Sequence, residues 1–498
     1  MKTKIALTFI AALTAASSAH DFTVHEWGTF TTVMGSDGAH LDGVQREEAP
    51  LPPFVRRIDG LTTTAAAPGM KGIHWERPLA MVNVRMETPV VYFYTDREFE
   101  AQVDVHFHGG MISEWFPERS AGEVLPPIKR DPKGIPTGEN RLDFSQPRAG
   151  SIRWNVKVEP AGEDEAARVF QGQESPCWLH PRRTDAALVT NAKGETEKYL
   201  FYRGLGNLQL PVTFTATDST LKAASRSAEP VAHWLVYELS QTGEARWIVP
   251  PAVPAAGADG KGAEVPVEFA STAFRGDWKR PLFESAAKML TDAGLLRREA
   301  DAMLQTWWES YFLRPGLRVF WVVPPAYVDK VLPLTVSPPP AKTTRVIVGR
   351  AEILTPSAEQ KLLNVFASAD KDHGNAWSSD RFFPAYTRRV EQLLAAGKKA
   401  DPAKWAGGTW QVMFQNGVQQ TCEVAPDGTV KVTEPKRTAT GRMTDTGNNG
   451  FEIHFSDDRV ERWKLSSPPS LDAVTVHHWA EAGGTQTDEP VSGTGWRR

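Results

Sequence analysis

The chain has 498 residues, 56 of them basic and 60 acidic, with only two cysteines. Without Lys2 and Lys4, which lie in an expected leader, 54 basic residues stand against 60 acidic, a net charge of −6. Such a mildly acidic surface argues against nucleic acid or an anionic membrane as the main partner, and two cysteines cannot build a disulfide framework.

Residues 1–19 read as a signal peptide. Lys2 and Lys4 supply the positive start, an apolar stretch from Ile5 to Ala16 follows, and Ser17, Ser18 and Ala19 are small enough for a signal peptidase. The stretch is shorter than the roughly 18 apolar residues of a membrane helix. The expectation is therefore a periplasmic or secreted protein with no membrane insertion after leader cleavage. A cut after Ala19 would make His20 the terminal residue, where an amine and an imidazole together chelate copper.

Residues 20–355 read as a β-sandwich body. Apolar or alternating runs rich in Val, Phe, Tyr and Thr recur at 89–95, 101–108, 152–158, 198–203, 212–216, 232–239 and 245–249, bounded by Gly, Pro and Asp. Long Pro/Gly-rich loops at 47–72 and 118–150 separate some of them. The period then changes: 282–293, closed by Gly294, and 297–312 form a helical insertion, 280–313 in all. Strands return at 317–323 and 344–352. Residues 356–404 read as a helical segment and linker, 405–481 as a small antiparallel meander or barrel with turns at Asn416-Gly417 and Asp427-Gly428, and 482–498 as a disordered tail. Most of the 17 tryptophans belong in the core, and an exposed one would serve as a stacking platform for a sugar.

No nucleophile elbow, zinc-protease pair, phosphate loop or dinucleotide fingerprint occurs. His106 and His108 lie two apart on one strand face, a spacing that suits Zn²⁺ or Cu²⁺ if a third ligand arrives from elsewhere. The same pattern describes the wet side of an amphipathic strand whose other face is Val103, Val105 and Phe107. In the run from Val24 to Phe30, an extended chain puts Val24, Glu26 and Phe30 on one face and His25, Trp27 and Thr29 on the other. Glu26 on an apolar face needs a partner. Arg203, also inside an apolar strand, is the expected one, as a core staple or as the floor of a ligand site built from His25, Glu26, Trp27 and Arg203. Asp370, Asp372, Asn375 and Asp380 begin like a calcium loop, but Arg381 stands where the closing acid belongs. Cys177, three residues before His180, reads as a buried inert thiol.

The run His25-Glu26-Trp27-Gly28-Thr29-Phe30-Thr31 resembles that of a group of exported bacterial proteins, as do Met86 to Tyr94, Lys198 to Gly204 and Leu332 to Val336. The resemblance spans most of residues 22–363. No activity attaches to that group, so it implies export and no catalytic residue. The final module, from Gly408-Thr409-Trp410 to Arg462-Trp463, is similar to small lipocalin-like β modules, which implies a barrel without fixing a ligand.

The fold expected is mainly β: an antiparallel β-sandwich body with a helical flank, then a small C-terminal antiparallel β-barrel or half-barrel. Two functions fit. One is a non-enzymatic extracytoplasmic binding or surface-associated protein for a glycan, small ligand or protein. The other is a metal-dependent or carboxylate-based hydrolase drawing on His25, Glu26, His106, His108 and Arg203.

Overall fold

The structure is a computed structural model that describes residues 20–47, 51–58, 81–125, 147–162, 176–257, 262–367, 380–398, 407–465 and 473–497, with a few positions inside the last two spans and a few isolated ones elsewhere excepted. The expected leader, residues 370–375 of the acidic loop and most of the loops at 47–72 and 118–150 lie outside the described residues.

The N-terminal strand, His20–Met34, lies near the middle of a nine-stranded sheet. It pairs antiparallel with Val84–Tyr94 and parallel with Pro340–Ile353, so the body's central sheet is mixed at this one pairing. Beyond those two come Gly316–Val322, Trp234–Leu239 and Ala245–Ile248 on one side, and Leu200–Gly206, Gly110–Phe116 and the short Arg56–Arg57 on the other. Central position explains why the strand is buried on both faces from Val24 onward, as strands covered on both sides are.

One face carries Val24, Phe30, Val91, Phe93, Leu200 and Leu205 and packs on a second sheet, whose strands Phe99–His108 and Ala149–Glu159 contribute Val103, Val105, Phe107, Trp154 and Val156. The opposite face carries Trp27, Val90, Tyr92, Phe201, Val346 and Val348, and packs on the helices Lys279–Asp292 and Arg297–Trp307. The expected helical insertion is thus the third layer, and a π-helical turn at Trp308–Phe312 ends it.

Gly28 marks a shift of register between the N-terminal strand and Val84–Tyr94. A Cβ there would meet Pro89 Cα at 2.8 Å and Cγ at 2.9 Å, which is why a bare backbone is needed within a strand. Gly28→Ala is expected to lose about 1–3 kcal/mol by overpacking, read as a lower midpoint in urea.

After the helices Pro356–Ala367 and Phe383–Ala395, eight strands from Gly408–Phe414 to Val491–Arg497 close into an antiparallel barrel. Closure corrects one expectation. The stretch after Ala482, read as disordered for its Gly and Thr content, supplies Val491–Arg497, which pairs with both Gly408–Phe414 and Ala473–Ala482. Its glycines are packing devices: a Cβ on Gly495 would meet Val412 Cγ2 at 2.8 Å. Both cysteines, Cys177 and Cys422, are free and buried. Among the described residues no helix is long and apolar enough to cross a membrane.

Candidate functional site

The structure separates the residues that the sequence grouped. His25 faces the helices, where its Nδ1 donates to both carboxylate oxygens of Glu299 at 3.0 and 3.1 Å. Glu299 also accepts from Tyr94 Oη at 2.7 Å and from the Leu296 backbone N–H at 2.7 Å. His25 therefore ties the central strand to the start of a helix. Trp27, on the same face, is fully buried beside Tyr92.

Glu26 faces the sandwich interior, as the alternation requires, but its partner is Arg345 and not Arg203. Arg345 Nε donates to Glu26 Oε2 at 2.7 Å, and Tyr202 Oη donates to Oε1. Burial pulls the Arg345 pKa down, and the Glu26 and Tyr202 oxygens more than offset it. The expected pairing fails because Arg203 sits on the other face of the sheet. There its Nη1 lies 3.2 Å from Glu47 Oε2.

His106 and His108 stay on the exposed face of their strand, their rings parallel to within 14° and 6.2 Å apart. Among the described residues no group of three His, Cys, Asp or Glu side chains gathers to hold a metal. His20 opens the N-terminal strand next to Pro340, and its side chain is not among the described ones.

What the sequence reading missed is a stripe of buried charges that crosses six neighbouring strands on the helix-side face, beyond the end of the helical pair. The register aligns it: Arg318 opposite Glu352, Arg350 opposite Thr31, Thr31 opposite Arg85, and Arg203 opposite Glu114. Arg85, Glu87, Glu114, Arg203 and Arg350 are all 0% exposed. Glu352 Oε1 accepts from Arg318 Nε at 2.7 Å and from Arg350. Glu87 accepts from Arg381, and Arg85 Nη1 donates to the Gln45 carbonyl at 2.6 Å. Burial pushes the Glu87 and Glu352 carboxyls up, but the guanidiniums beside them, Arg381 and Arg85 for one and Arg318 and Arg350 for the other, hold both below the usual range.

Thr88 adds backbone strain, with φ at +47° in a β-branched residue, beside the Arg203 guanidinium. Both amide atoms of Gln45, Nε of Arg85 and of Arg203, and Oε2 of Glu87 are buried without a hydrogen bond among the described residues. Orphaned polar atoms and strain gathered in one place are usual at functional regions. The stripe had a sequence signal: Arg85 with Glu87, and Arg350 with Glu352, are charges two apart within otherwise apolar strands.

At one end the stripe reaches a cleft of about 720 Å³, whose walls include Arg318 and Glu352 together with Glu238, Arg246, Asp380 and Tyr386. That size lies within the usual ligand-pocket range of about 300–1,000 Å³. The guanidiniums are held in place: Arg246 Nη2 is 2.6 Å from Glu238, and Arg314 Nη2, also in the wall, is 3.2 Å from Asp380. The arrangement offers an ordered polar surface, open to solvent, over a buried ionic base.

Neither the known protein families nor the curated proteins compared with this chain give a match. Among solved structures, a chain described under structural insight into host cell surface retention of a 1.5-MDa bacterial ice-binding adhesin aligns with 82% of this chain and 90% of its own. The identity is 12% and the TM-score 0.11, a likeness that carries no argument about fold or function.

Proposed function

We propose that this is an exported, non-enzymatic binding protein that takes a small polar ligand in the cleft at the end of the charged stripe. The observation that carries the reading is the preorganisation of the cleft wall. Arg318, Arg246 and Arg314 are each locked to a carboxylate before any ligand arrives. Preset side chains lower the entropy cost of binding. Export rests on the leader-like residues 1–19 and on the resemblance of the His25 to Thr31 run.

The test uses protein recovered from the periplasm of a bacterial host, with mass spectrometry expected to find His20 as its first residue. Thermal melts are then run with a panel of sugars, amino acids, short peptides and amines. A ligand at a hundred times its dissociation constant should stabilise the fold by about 2.7 kcal/mol. If no member of the panel shifts the melt, the binding reading fails.

A second reading, a carboxylate-based hydrolase, is favoured by the two carboxylates, Glu238 and Glu352, that share the cleft wall. Chromatography of the panel sugars and peptides after incubation separates the two. Intact ligand supports binding, and cleaved product supports hydrolysis.

A further inference from the structure

We propose that the ligand of the cleft is a neutral, hydroxyl-rich molecule, a glycan, with Glu238 and Glu352 accepting hydrogen bonds from its hydroxyls. This rests on the cleft-binding reading above and names the class of ligand for it.

The argument begins with the donors. Arg318 gives Nε to Glu352 at 2.7 Å, Nη1 to the Arg314 carbonyl and Nη2 to the Pro315 carbonyl at 3.3 Å. Arg246 gives Nε and Nη2 to Glu238 Oε2 at 2.7 and 2.6 Å, and Nη1 to the Ala270 carbonyl at 3.2 Å. Every nitrogen of both guanidiniums thus already has a partner, and the positive charge of each is matched by a carboxylate. An anionic ligand would bring its charge against Glu238, Glu352 and Asp380 in the same wall, and taking Arg246 or Arg318 as its ion partner would leave a carboxylate unpaired at a cost that few contacts return.

The acceptors are in a different state. Both bonds that Arg246 gives to Glu238 go to Oε2, and the bonds that Arg318 and Arg350 give to Glu352 all go to Oε1. Oε1 of Glu238 and Oε2 of Glu352 accept no hydrogen bond from the described residues. Their charge is already balanced, so they offer lone pairs without a net field for a cation. Arg246, Arg314 and Arg318 nearby oppose one. Hydroxyl groups are the donors that fit: they need a strong acceptor and bring no charge of their own.

The apolar part of the wall agrees. Phe274 is 37% exposed and Leu313 39% exposed, both in the cleft lining. Arg246 Cζ lies 4.3 Å from the Phe274 ring centroid and fixes that ring. A pyranose presents C–H groups on one face and hydroxyls at its edge. That matches an aromatic shelf bordered by acceptors, where large aromatic surfaces give much of the binding energy.

The experiment is calorimetry of the full mature chain with three sets of probes: neutral tri- and tetrasaccharides, uronic-acid oligomers, and amines with lysine-rich tripeptides. A neutral oligosaccharide is expected to bind, with an affinity constant within about twofold between about 50 and about 500 mM NaCl, because no ion pair forms on binding. Phe274→Ala, a surface change, is expected to weaken it about tenfold. Glu238→Gln should cost less than about threefold, since the amide oxygen still accepts, and Glu238→Leu about tenfold. Melting curves of each variant confirm folding. If an acidic sugar or an amine binds, loses affinity in Phe274→Ala, and no neutral sugar binds, the glycan inference is overturned while the cleft reading stands. Neutral-sugar binding untouched by both Phe274→Ala and Glu238→Leu places the site elsewhere and overturns it too. No binding by any probe overturns the inference and the cleft reading together.

Discussion

Replacing Glu352 by leucine is expected to cost about 3–5 kcal/mol of stability, because it takes the shared carboxylate from two buried guanidiniums. Arg318 is 2% exposed and Arg350 0% exposed. After the change, Arg318 would retain only the backbone carbonyls of Arg314 and Pro315. Urea unfolding followed by tryptophan fluorescence reads the loss as a lower midpoint at unchanged slope. A loss within about 1 kcal/mol would mean that the stripe is loosely held and wet.

The same carboxylate sets a pH dependence. Burial alone would raise the Glu352 pKa, yet Arg318 and Arg350 bring it below the ordinary value. A folded-state pKa lower than the unfolded one means the folded state binds the proton less well. Its contribution is therefore fully present above the unfolded carboxylate value of about 4.3, and it is lost as pH falls through the folded value. Glu87 acts in the same direction. Stability should fall steeply below about pH 4.3 in the parent chain. Glu352→Gln, uncharged throughout, should flatten that acid limb while lowering the plateau.

Ending the chain at Gln486 is expected to abolish the folded barrel. The deletion removes Val491–Arg497 from between Gly408–Phe414 and Ala473–Ala482 and leaves two open edges. Each ladder hydrogen bond contributes about 1 kcal/mol net, and a module of this size can have as little as about 5 kcal/mol in total. Trp410, now 0% exposed, also loses the Arg497 guanidinium that lies 4.8 Å from its ring. Trp410 and Trp463 stand edge to face with ring centroids 5.5 Å apart; their near-UV signal should vanish, and protease should cut between 408 and 482. Unpaired edges should also promote aggregation. A truncated chain that kept the near-UV signal would mean that seven strands suffice and the last is an ornament.

Alternation is a local property, and the sequence carried it faithfully. The two faces of the N-terminal strand, the wet side of Phe99–His108, the helical insertion and the strand-rich final module are each readable from residues within a dozen positions of one another. The need of Glu26 for a partner was also legible, because a carboxylate on an apolar face is costly wherever it lies.

Only the tertiary structure decided which partner it received. Arg345 is 319 positions away and meets Glu26 through a parallel pairing that no local pattern announces. Arg203 alternates to the opposite face and finds Glu47. The charged stripe is likewise a product of register. Arg318, Glu352, Arg350, Arg85, Arg203 and Glu114 come from five strands and share one line only once those strands are aligned. The closing strand of the barrel shows the same division. Gly493 and Gly495 look like loop residues in isolation, and become strand residues because neighbouring side chains fill the space a Cβ would take. Composition and period set which face of each element is apolar. Long-range pairing set which charges met and where they border a cleft.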